Sequence, residues 1–209
     1  MAVRGLLLDF NGTLSDDEPL LCSIFQELFA EAGKPITEPE YYDELAGLSD
    51  PEVVERWLGR PDPEVVRRKI ERYRQLSADG STISQAARQA VLDAAGRAFV
   101  AVVSGSARVE IEPVLEAAGL TSSISALVAT EDVEHGKPAP DGYLRALELL
   151  DLDAYEAVAV EDSDVGIGAA RAAGIRVFAV TGTLPRERLG GAEEIVERLD
   201  PDFVLRLLA

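Results

Sequence analysis

The stretch LLLDFNGTL, residues 6–14, determines how the chain folds and where its chemistry lies. Three leucines form an apolar run that ends in Asp9, and a glycine and a threonine follow at 12 and 13. A short apolar run of this kind predicts a buried strand, and Gly12 permits a tight turn directly after it. Asn11 lies at the start of that turn. The stretch therefore predicts a strand that delivers one carboxylate into a glycine turn.

Four later apolar runs repeat the pattern and end in polar residues, at 98–104, 124–130, 157–162 and 175–182. Helical patterns separate them, at 107–119, 140–150 and 164–174. Strands that are apolar on both faces suit a parallel sheet covered by helices on each side. The alternation of strand and helix implies right-handed crossovers. The sequence thus predicts an α/β fold with a doubly wound parallel sheet.

Residues 16–80 interrupt this alternation with four consecutive helical patterns. Proline and glycine separate the four pieces, which predicts short helices joined by turns. We therefore expect a small helical domain at 16–80, inserted into a core formed by 1–15 and 81–209.

The composition restricts the classes of partner. A net charge of −18 argues against nucleic acid and against an anionic membrane, because both bind basic surfaces. No apolar run approaches the ~20 residues that span a bilayer. Cys22 is the one cysteine, which excludes an intramolecular disulfide and fits a reducing cytoplasm. We expect a cytoplasmic protein that is a monomer or a weak dimer.

Polar side chains gather where the predicted strands end. Asp9, Ser104 and the pair Glu161–Asp162 end three strands, and Lys137 lies in the loop after a fourth. Because ligands bind at the carboxyl ends of parallel strands, we expect these groups to converge. A carboxylate can attack phosphorus, and carboxylate oxygens suit Mg²⁺. The lysine and the hydroxyl would stabilise the transferring phosphoryl group, so the set predicts phosphoryl transfer.

The turn at 10–13 supplies further predicted contacts to phosphate. Its backbone N–H groups can form an anion-binding nest, and Gly12 allows a close approach. Gly12, Thr13 and Gly105, which follows Ser104, are therefore candidate substrate-binding residues.

Four segments of the chain together resemble the four motifs of the haloacid dehalogenase-like (HAD) hydrolase superfamily. They are residues 9–14, Ser104, residues 136–138, and residues 161–163 with Gly166. The insert resembles the C1-type cap of the phosphoglycolate phosphatase and β-phosphoglucomutase branch. The resemblance implies a Rossmann-like core, Mg²⁺ dependence and a small phosphorylated metabolite as substrate.

The same resemblance assigns roles to individual residues. It implies that Asp9 is the nucleophile and forms an aspartyl phosphate. It implies that Mg²⁺ binds the Asp9 side chain, the backbone carbonyl of Asn11 and Asp162, with Glu161 in support. The turn at 46–50 resembles a cap loop that dips toward the active site, so Ser49 and Asp50 are candidate groups for reading substrate hydroxyls.

Asn11 departs from the family pattern. Phosphatases of this family usually carry aspartate there, and the resemblance implies that it protonates the leaving oxygen and then activates water. An amide cannot exchange a proton in this way, and loss of a general acid–base typically costs ~10²–10⁴-fold in rate. The metal contact runs through the backbone, so Asn11 need not disturb it. We therefore expect slow turnover.

Four explanations of Asn11 stay open at this point. The residue is natural and the enzyme is slow, or another acid substitutes, for which Asp16, Asp17 and Glu18 are the nearest candidates. A third explanation is a substitution introduced to trap a complex. The fourth is deamidation of the Asn11-Gly12 pair, which regenerates an aspartate.

Rival functions also follow from Asn11. A catalytically weak relative would bind a phosphometabolite or a partner. A mutase relies on the missing aspartate for its proton transfers. A phosphonate-cleaving enzyme needs a cap lysine, and neither Lys34 nor Lys69 has a spacing that favours it. A phospho-acceptor receiver domain is disfavoured by the length, by the insert and by the position of the acceptor on the first strand.

Overall fold

The computed structural model describes residues 2–209 as a parallel sheet of six strands with helices packed on it. The strands lie in the order β3-β2-β1-β4-β5-β6. Their bounds are β1 Gly5–Leu8, β2 Phe99–Val103, β3 Ala126–Val128, β4 Ala157–Glu161, β5 Arg176–Val180 and β6 Ile195–Val196. The predicted doubly wound α/β fold is confirmed. The two-residue β6 was not predicted, because so short a strand leaves no apolar pattern.

Strand β1 occupies the middle of the sheet. Leu6 pairs with Val100 of β2 on one side and with Val158 of β4 on the other. The three leucines of β1 are completely buried, as expected for a strand covered on both faces. The backbone N–H of Asp9 continues the ladder by donating to the Val160 carbonyl at 3.0 Å. The carboxylate after β1 is therefore held at the centre of the sheet edge.

Five helices accompany the strands of the core. They are α5 Gln85–Ala95, α6 Arg108–Ala117, α7 Asp141–Leu150, α8 Asp164–Ala172 and α9 Pro201–Leu207. Helices α6, α7 and α8 correspond to the three predicted helices between strands. Helix α5 contacts β2 and α9, α7 contacts β2 and β3, and α8 contacts β4 and β5. These contacts complete the layers around the sheet.

Four more helices, which we call the helical insert, lie between β1 and α5. They are α1 Glu18–Glu31, α2 Glu38–Glu44, α3 Asp50–Leu58 and α4 Pro63–Ser77. Thr37 caps α2 with Glu40, and Gly59 ends α3 in the left-handed conformation. The helices occur where the four patterns were found. The division into domains at 16 and 80 stays a prediction.

Aromatic side chains pack against one another within the insert, as part of the hydrophobic core that also contains the leucines of β1. Phe29 stacks on Phe25 with ring centroids 5.3 Å apart and on Trp57 at 6.2 Å.

None of the helices described within residues 2–209 combines the length and the apolar character needed to cross a membrane.

A buried ion cluster ties the insert to the core. Lys69 of α4 is completely buried, and its Nζ lies 2.8 Å from Asp50 Oδ1 and 2.9 Å from Glu110 Oε1. Asp50 begins α3 of the insert, whereas Glu110 lies in α6 of the core. Because a buried charge is costly without a partner, the three groups hold α3, α4 and α6 together.

Candidate active site

One lysine bridges two carboxylates at the carboxyl ends of the central strands. Lys137 donates from Nζ to Asp9 Oδ1 at 2.5 Å and to Glu161 Oε1 at 2.6 Å. Tyr143 donates to the same Glu161 oxygen at 2.7 Å. Asp9 follows β1, Glu161 ends β4 and Lys137 lies between β3 and α7. Three separate segments therefore meet at the carboxyl edge of the sheet.

Three buried carboxylates form a cluster around this lysine. One oxygen each from Asp9, Glu161 and Asp162 lies within 4.8 Å of the other two. Burial raises the pKa of Asp9 to about 7, although the charge of Lys137 opposes the shift. Burial and the charge of Asp9 hold the pKa of Asp162 well above its usual range. Burial lowers the pKa of Lys137, but the charges of Asp9 and Glu161 outweigh it and leave a net rise.

The chemistry of this cluster suits a divalent cation. Lys137 pairs with Asp9 and Glu161, and a bound cation would favour the charged forms of Asp9 and Asp162 against the effect of burial. Carboxylate oxygens are the hard ligands that Mg²⁺ prefers in proteins.

Two glycines make room for these acids. Gly12 has a φ of +77°, and a Cβ added there would lie 2.0 Å from Asp162 Oδ2. A Cβ on Gly166 would lie 2.0 Å from Glu161 Oε2. Any side chain at either position would displace a carboxylate of the cluster.

The side chain of Asn11 has partners on both sides. Its Oδ1 accepts from Ser106 Oγ at 2.7 Å and from Ser104 Oγ at 3.3 Å. Its Nδ2 donates to Asp17 Oδ2 at 3.0 Å. The carboxamide is therefore fixed within the protein, and Ser104 contacts Asn11 directly.

The turn after β1 has fewer free N–H groups than expected. The N–H of Gly12 donates to the Ser15 carbonyl at 2.7 Å, so this group is already engaged. Thr13 is buried, and its hydroxyl has no hydrogen-bond partner within the described chain. The Gly12 N–H thus stabilises the turn itself. A contact between the turn and phosphate stays a prediction.

A cavity of about 40 Å³ lies between the sheet edge and the helical insert. The predicted site residues that line it are Asp9, Asn11, Asp50, Gly105, Lys137 and Asp162. The predicted residues that do not line it are Gly12, Thr13, Ser49, Ser104 and Glu161. Ligand pockets typically measure ~300–1,000 Å³, so a metabolite does not fit this space in the arrangement described.

The two predicted residues of the 46–50 loop have internal partners. The hydroxyl of Ser49 donates to Glu52 Oε2 at 2.6 Å at the start of α3. The carboxylate of Asp50 faces Lys69, as described above. In this arrangement both side chains stabilise the loop through contacts within the protein. Recognition of substrate hydroxyls by these residues stays a prediction.

Glu18, one of the three acids that the sequence offered as a substitute for the missing aspartate, lines the cavity. Tyr41 of α2 donates to Glu18 Oε1 at 2.9 Å. Burial raises the pKa of Glu18 to about 8, the charge of Asp17 adds to the rise, and the Tyr41 hydrogen bond opposes it. The sequence showed three consecutive acids at 16–18, and only packing distinguishes them. Asp16 is exposed and Asp17 is buried outside the cavity lining.

One family model and several known proteins are similar to this chain in sequence. The family model described as "Haloacid dehalogenase-like hydrolase" matches residues 6–180. Fructose-1-phosphate phosphatase YqaB from Escherichia coli (strain K12) is 31% identical over 184 residues, which are 82% of this chain and 93% of that protein. The chloroplastic protein SUPPRESSOR OF QUENCHING 1 from Arabidopsis thaliana is 28% identical over 191 residues, but this chain spans only 18% of its length.

Solved structures of CbbY from Rhodobacter sphaeroides have the same fold. The complex of CbbY with phosphate is 28% identical, with a TM-score of 0.87 and 99% of both chains covered. An Asp-to-Asn variant of CbbY in complex with xylulose-(1,5)bisphosphate is 29% identical, with a TM-score of 0.84. That match covers 94% of this chain and 95% of the variant.

Replacement of Glu18 by glutamine is expected to change how stability depends on pH. The folded protein retains the Glu18 proton up to about pH 8, whereas the unfolded chain releases it near its ordinary pKa of 4.5. Rising pH therefore destabilises the wild type through Glu18, and Glu18→Gln lacks this loss. We expect the stability of the variant relative to wild type to increase between about pH 5 and pH 8, by at most about 1.4 kcal/mol per pH unit.

Urea denaturation at several pH values measures this difference. The matched control is Glu27→Gln on the same helix, at a side chain that is exposed. A Glu18→Gln difference that stays flat across this pH range would contradict the assigned environment of Glu18.

Proposed function

Because the chain belongs to the haloacid dehalogenase-like hydrolase family, we propose that it is a Mg²⁺-dependent phosphatase that acts on a small phosphorylated metabolite. The observation that carries the proposal is the buried Asp9 carboxylate, held by Lys137 at 2.5 Å beside Glu161 and Asp162. YqaB is a fructose-1-phosphate phosphatase, and the CbbY structures are complexes with xylulose-(1,5)bisphosphate and with phosphate. They support a phosphorylated sugar or polyol as the substrate class.

In the proposed reaction Asp9 is the nucleophile. Lys137 holds Oδ1, so Oδ2 is the oxygen that attacks phosphorus. The bond from phosphorus to the substrate oxygen breaks, and an aspartyl phosphate forms. Water then attacks this intermediate, which releases phosphate and restores the carboxylate. The Lys137 ammonium offsets the negative charge that gathers on the phosphoryl oxygens.

We propose that Asp9 and Asp162 hold Mg²⁺, with Glu161 in support and the Asn11 backbone carbonyl as a further ligand. The donor set fits, because three buried carboxylate oxygens lie within 4.8 Å of one another. When bound, the ion would neutralise the anionic phosphoryl group and so allow a carboxylate to approach it.

The proposal includes slow turnover. The leaving oxygen needs a proton, and the Asn11 carboxamide can supply none. Among the three nearby acids that could substitute, Glu18 alone lines the cavity. Loss of the usual acid–base residue is expected to lower the rate ~10²–10⁴-fold. Proton transfer by Glu18 would make this loss smaller.

A second candidate is a catalytically weak relative that binds a phosphometabolite. The observation that favours it is the Asn11 side chain, whose oxygen and nitrogen both have protein partners. A phosphonate-cleaving enzyme is less favoured, because Lys69 is paired with Asp50 and Glu110, and Lys34 donates to the Trp57 carbonyl. The proposed enzyme is a monomer or weak dimer, and a cytoplasmic location is in keeping with its single buried cysteine.

Hydrolysis of p-nitrophenyl phosphate in the presence of Mg²⁺ tests the proposed activity. We expect measurable turnover that is lost with EDTA, and we expect Asp9→Asn to show only the background rate because it lacks the nucleophile. The control is Asp202→Asn, an exposed acid on α9, which should keep the wild-type rate. Turnover that survives Asp9→Asn would exclude the mechanism, and absence of turnover in the wild type would favour the binding protein.

Thermal unfolding with and without Mg²⁺ tests the metal site. We expect saturating Mg²⁺ to raise the wild-type midpoint by about 5 °C or more, as tight binding to the folded state alone requires. Asp162→Asn should lose most of this shift because a ligand oxygen is removed. Asp164→Asn, two residues away and paired with Arg188, should keep it. Equal shifts in all three proteins would contradict the assigned ligands.

A further inference from the structure

Asn11 lies between two serine hydroxyls and a buried carboxylate. Ser106 and Ser104 contact its Oδ1 at 2.7 and 3.3 Å, and its Nδ2 donates to Asp17 Oδ2 at 3.0 Å. A serine hydroxyl can both donate and accept, whereas a carboxylate only accepts. The serines would therefore tolerate either an amide or an acid at position 11. Asp17 is the partner that requires a hydrogen-bond donor there.

Asp17 depends on donors because it has no cation. Its exposed fraction is 1%, and no lysine or arginine forms an ion pair with it among residues 2–209. The Gly12 N–H, which is shared with the Ser15 carbonyl at 2.7 Å, donates to Oδ1 at 3.3 Å. The Tyr73 hydroxyl and Asn11 both donate to Oδ2. A buried carboxylate without a counter-ion is stable only when such donors surround it. Removal of the Asn11 donor would leave Oδ2 with Tyr73.

We propose that Asn11 and Asp17 form a matched pair, in which Asp17 is the positioning residue for the side chain at 11. Asp17 accepts one hydrogen of the carboxamide and thereby holds Oδ1 against the two serines. An aspartate at 11 would place one acceptor about 3.0 Å from another. Asp17 thus favours an amide over an acid at position 11.

The helical insert completes this pair. Tyr73 lies on α4, is completely buried, and reaches Asp17 across 56 positions of sequence. Asp17 directly precedes α1, so it lies at the junction between β1 and the insert. The orientation of the side chain at 11 is therefore linked to the position of α4.

The exchange variant Asn11→Asp/Asp17→Asn tests the pair because it keeps the composition and moves the acid to position 11. In the exchange, the amide at 17 can donate one hydrogen to the carboxylate at 11 and the other to the Tyr73 oxygen. Its own oxygen can accept from the Gly12 N–H. Each single variant instead disturbs the pairing. In Asn11→Asp, two carboxylate oxygens, which are both acceptors, face each other. In Asp17→Asn, the new NH₂ group, which is a donor, faces the Gly12 N–H.

The first readout is the urea midpoint of wild type, both single variants and the exchange. We expect each single variant to unfold at lower urea and the exchange to regain most of the loss. Asp16→Asn is the matched control, since this acid is adjacent but exposed, and combining it with Asn11→Asp should restore nothing. An Asn11→Asp protein as stable as wild type, with no effect of Asp17→Asn upon it, would overturn the pair. Failure of Asn11→Asp to fold while the exchange folds would support it.

The second readout is the rate, and it rests on the proposed function. We expect kcat for p-nitrophenyl phosphate to be at least ~10-fold higher in the exchange than in Asn11→Asp, because only the exchange holds the new acid in the position of the carboxamide. KM should change by less than about 2-fold, as for a residue that acts in the chemical step. Equal kcat in the two proteins would count against positioning by Asp17. If no protein turns over, the proposed function fails while the urea comparison still decides the pair.

Discussion

The arrangement of the candidate active site depends on one buried interaction, the bridge from Lys137 Nζ to Asp9 and Glu161. Without this ammonium, Asp9 would lose its cationic partner and Glu161 would keep only hydrogen bonds, such as the one from Tyr143. Removal of one member of a buried charge pair is strongly destabilising. The bridge also orients Asp9 by occupying one of its oxygens. Glycine at 166 is needed because Glu161 lies so close to the backbone, and glycine at 12 is needed both for its positive φ and for the approach of Asp162.

The sequence predicted the parts of the molecule that follow from local pattern. Short apolar runs indicated β1 to β5, and the rule that ligands bind at carboxyl strand ends placed Asp9, Lys137 and Asp162 together. The cavity lining agrees with that placement. The strength of this prediction comes from the parallel sheet, because its topology brings distant segments of sequence to one edge without any knowledge of side-chain packing.

The remainder depends on how the helical insert packs, which no local pattern encodes. The carboxylate of Asp50 lies against Lys69, a residue 19 positions away on another helix, and no local pattern indicated this pair. Of three consecutive acids at 16–18, one is exposed, one is paired with Asn11 and one lines the cavity. Their different environments arise from Tyr41 and Tyr73, which lie on helices of the insert. The hydrogen-bond partners of Asn11 are therefore evident only from the three-dimensional structure.

The role of Asp9 as nucleophile is tested most directly by trapping the covalent intermediate. The protein would be mixed with p-nitrophenyl phosphate and Mg²⁺, quenched in acid and digested, and the site of phosphorylation located by mass spectrometry. Because Asn11 cannot activate water, the aspartyl phosphate should break down slowly and accumulate. The expected result is a phosphoryl group on Asp9 that is absent from Asp9→Asn. Turnover with an unmodified Asp9, or a phosphoryl group on another residue, would contradict the mechanism.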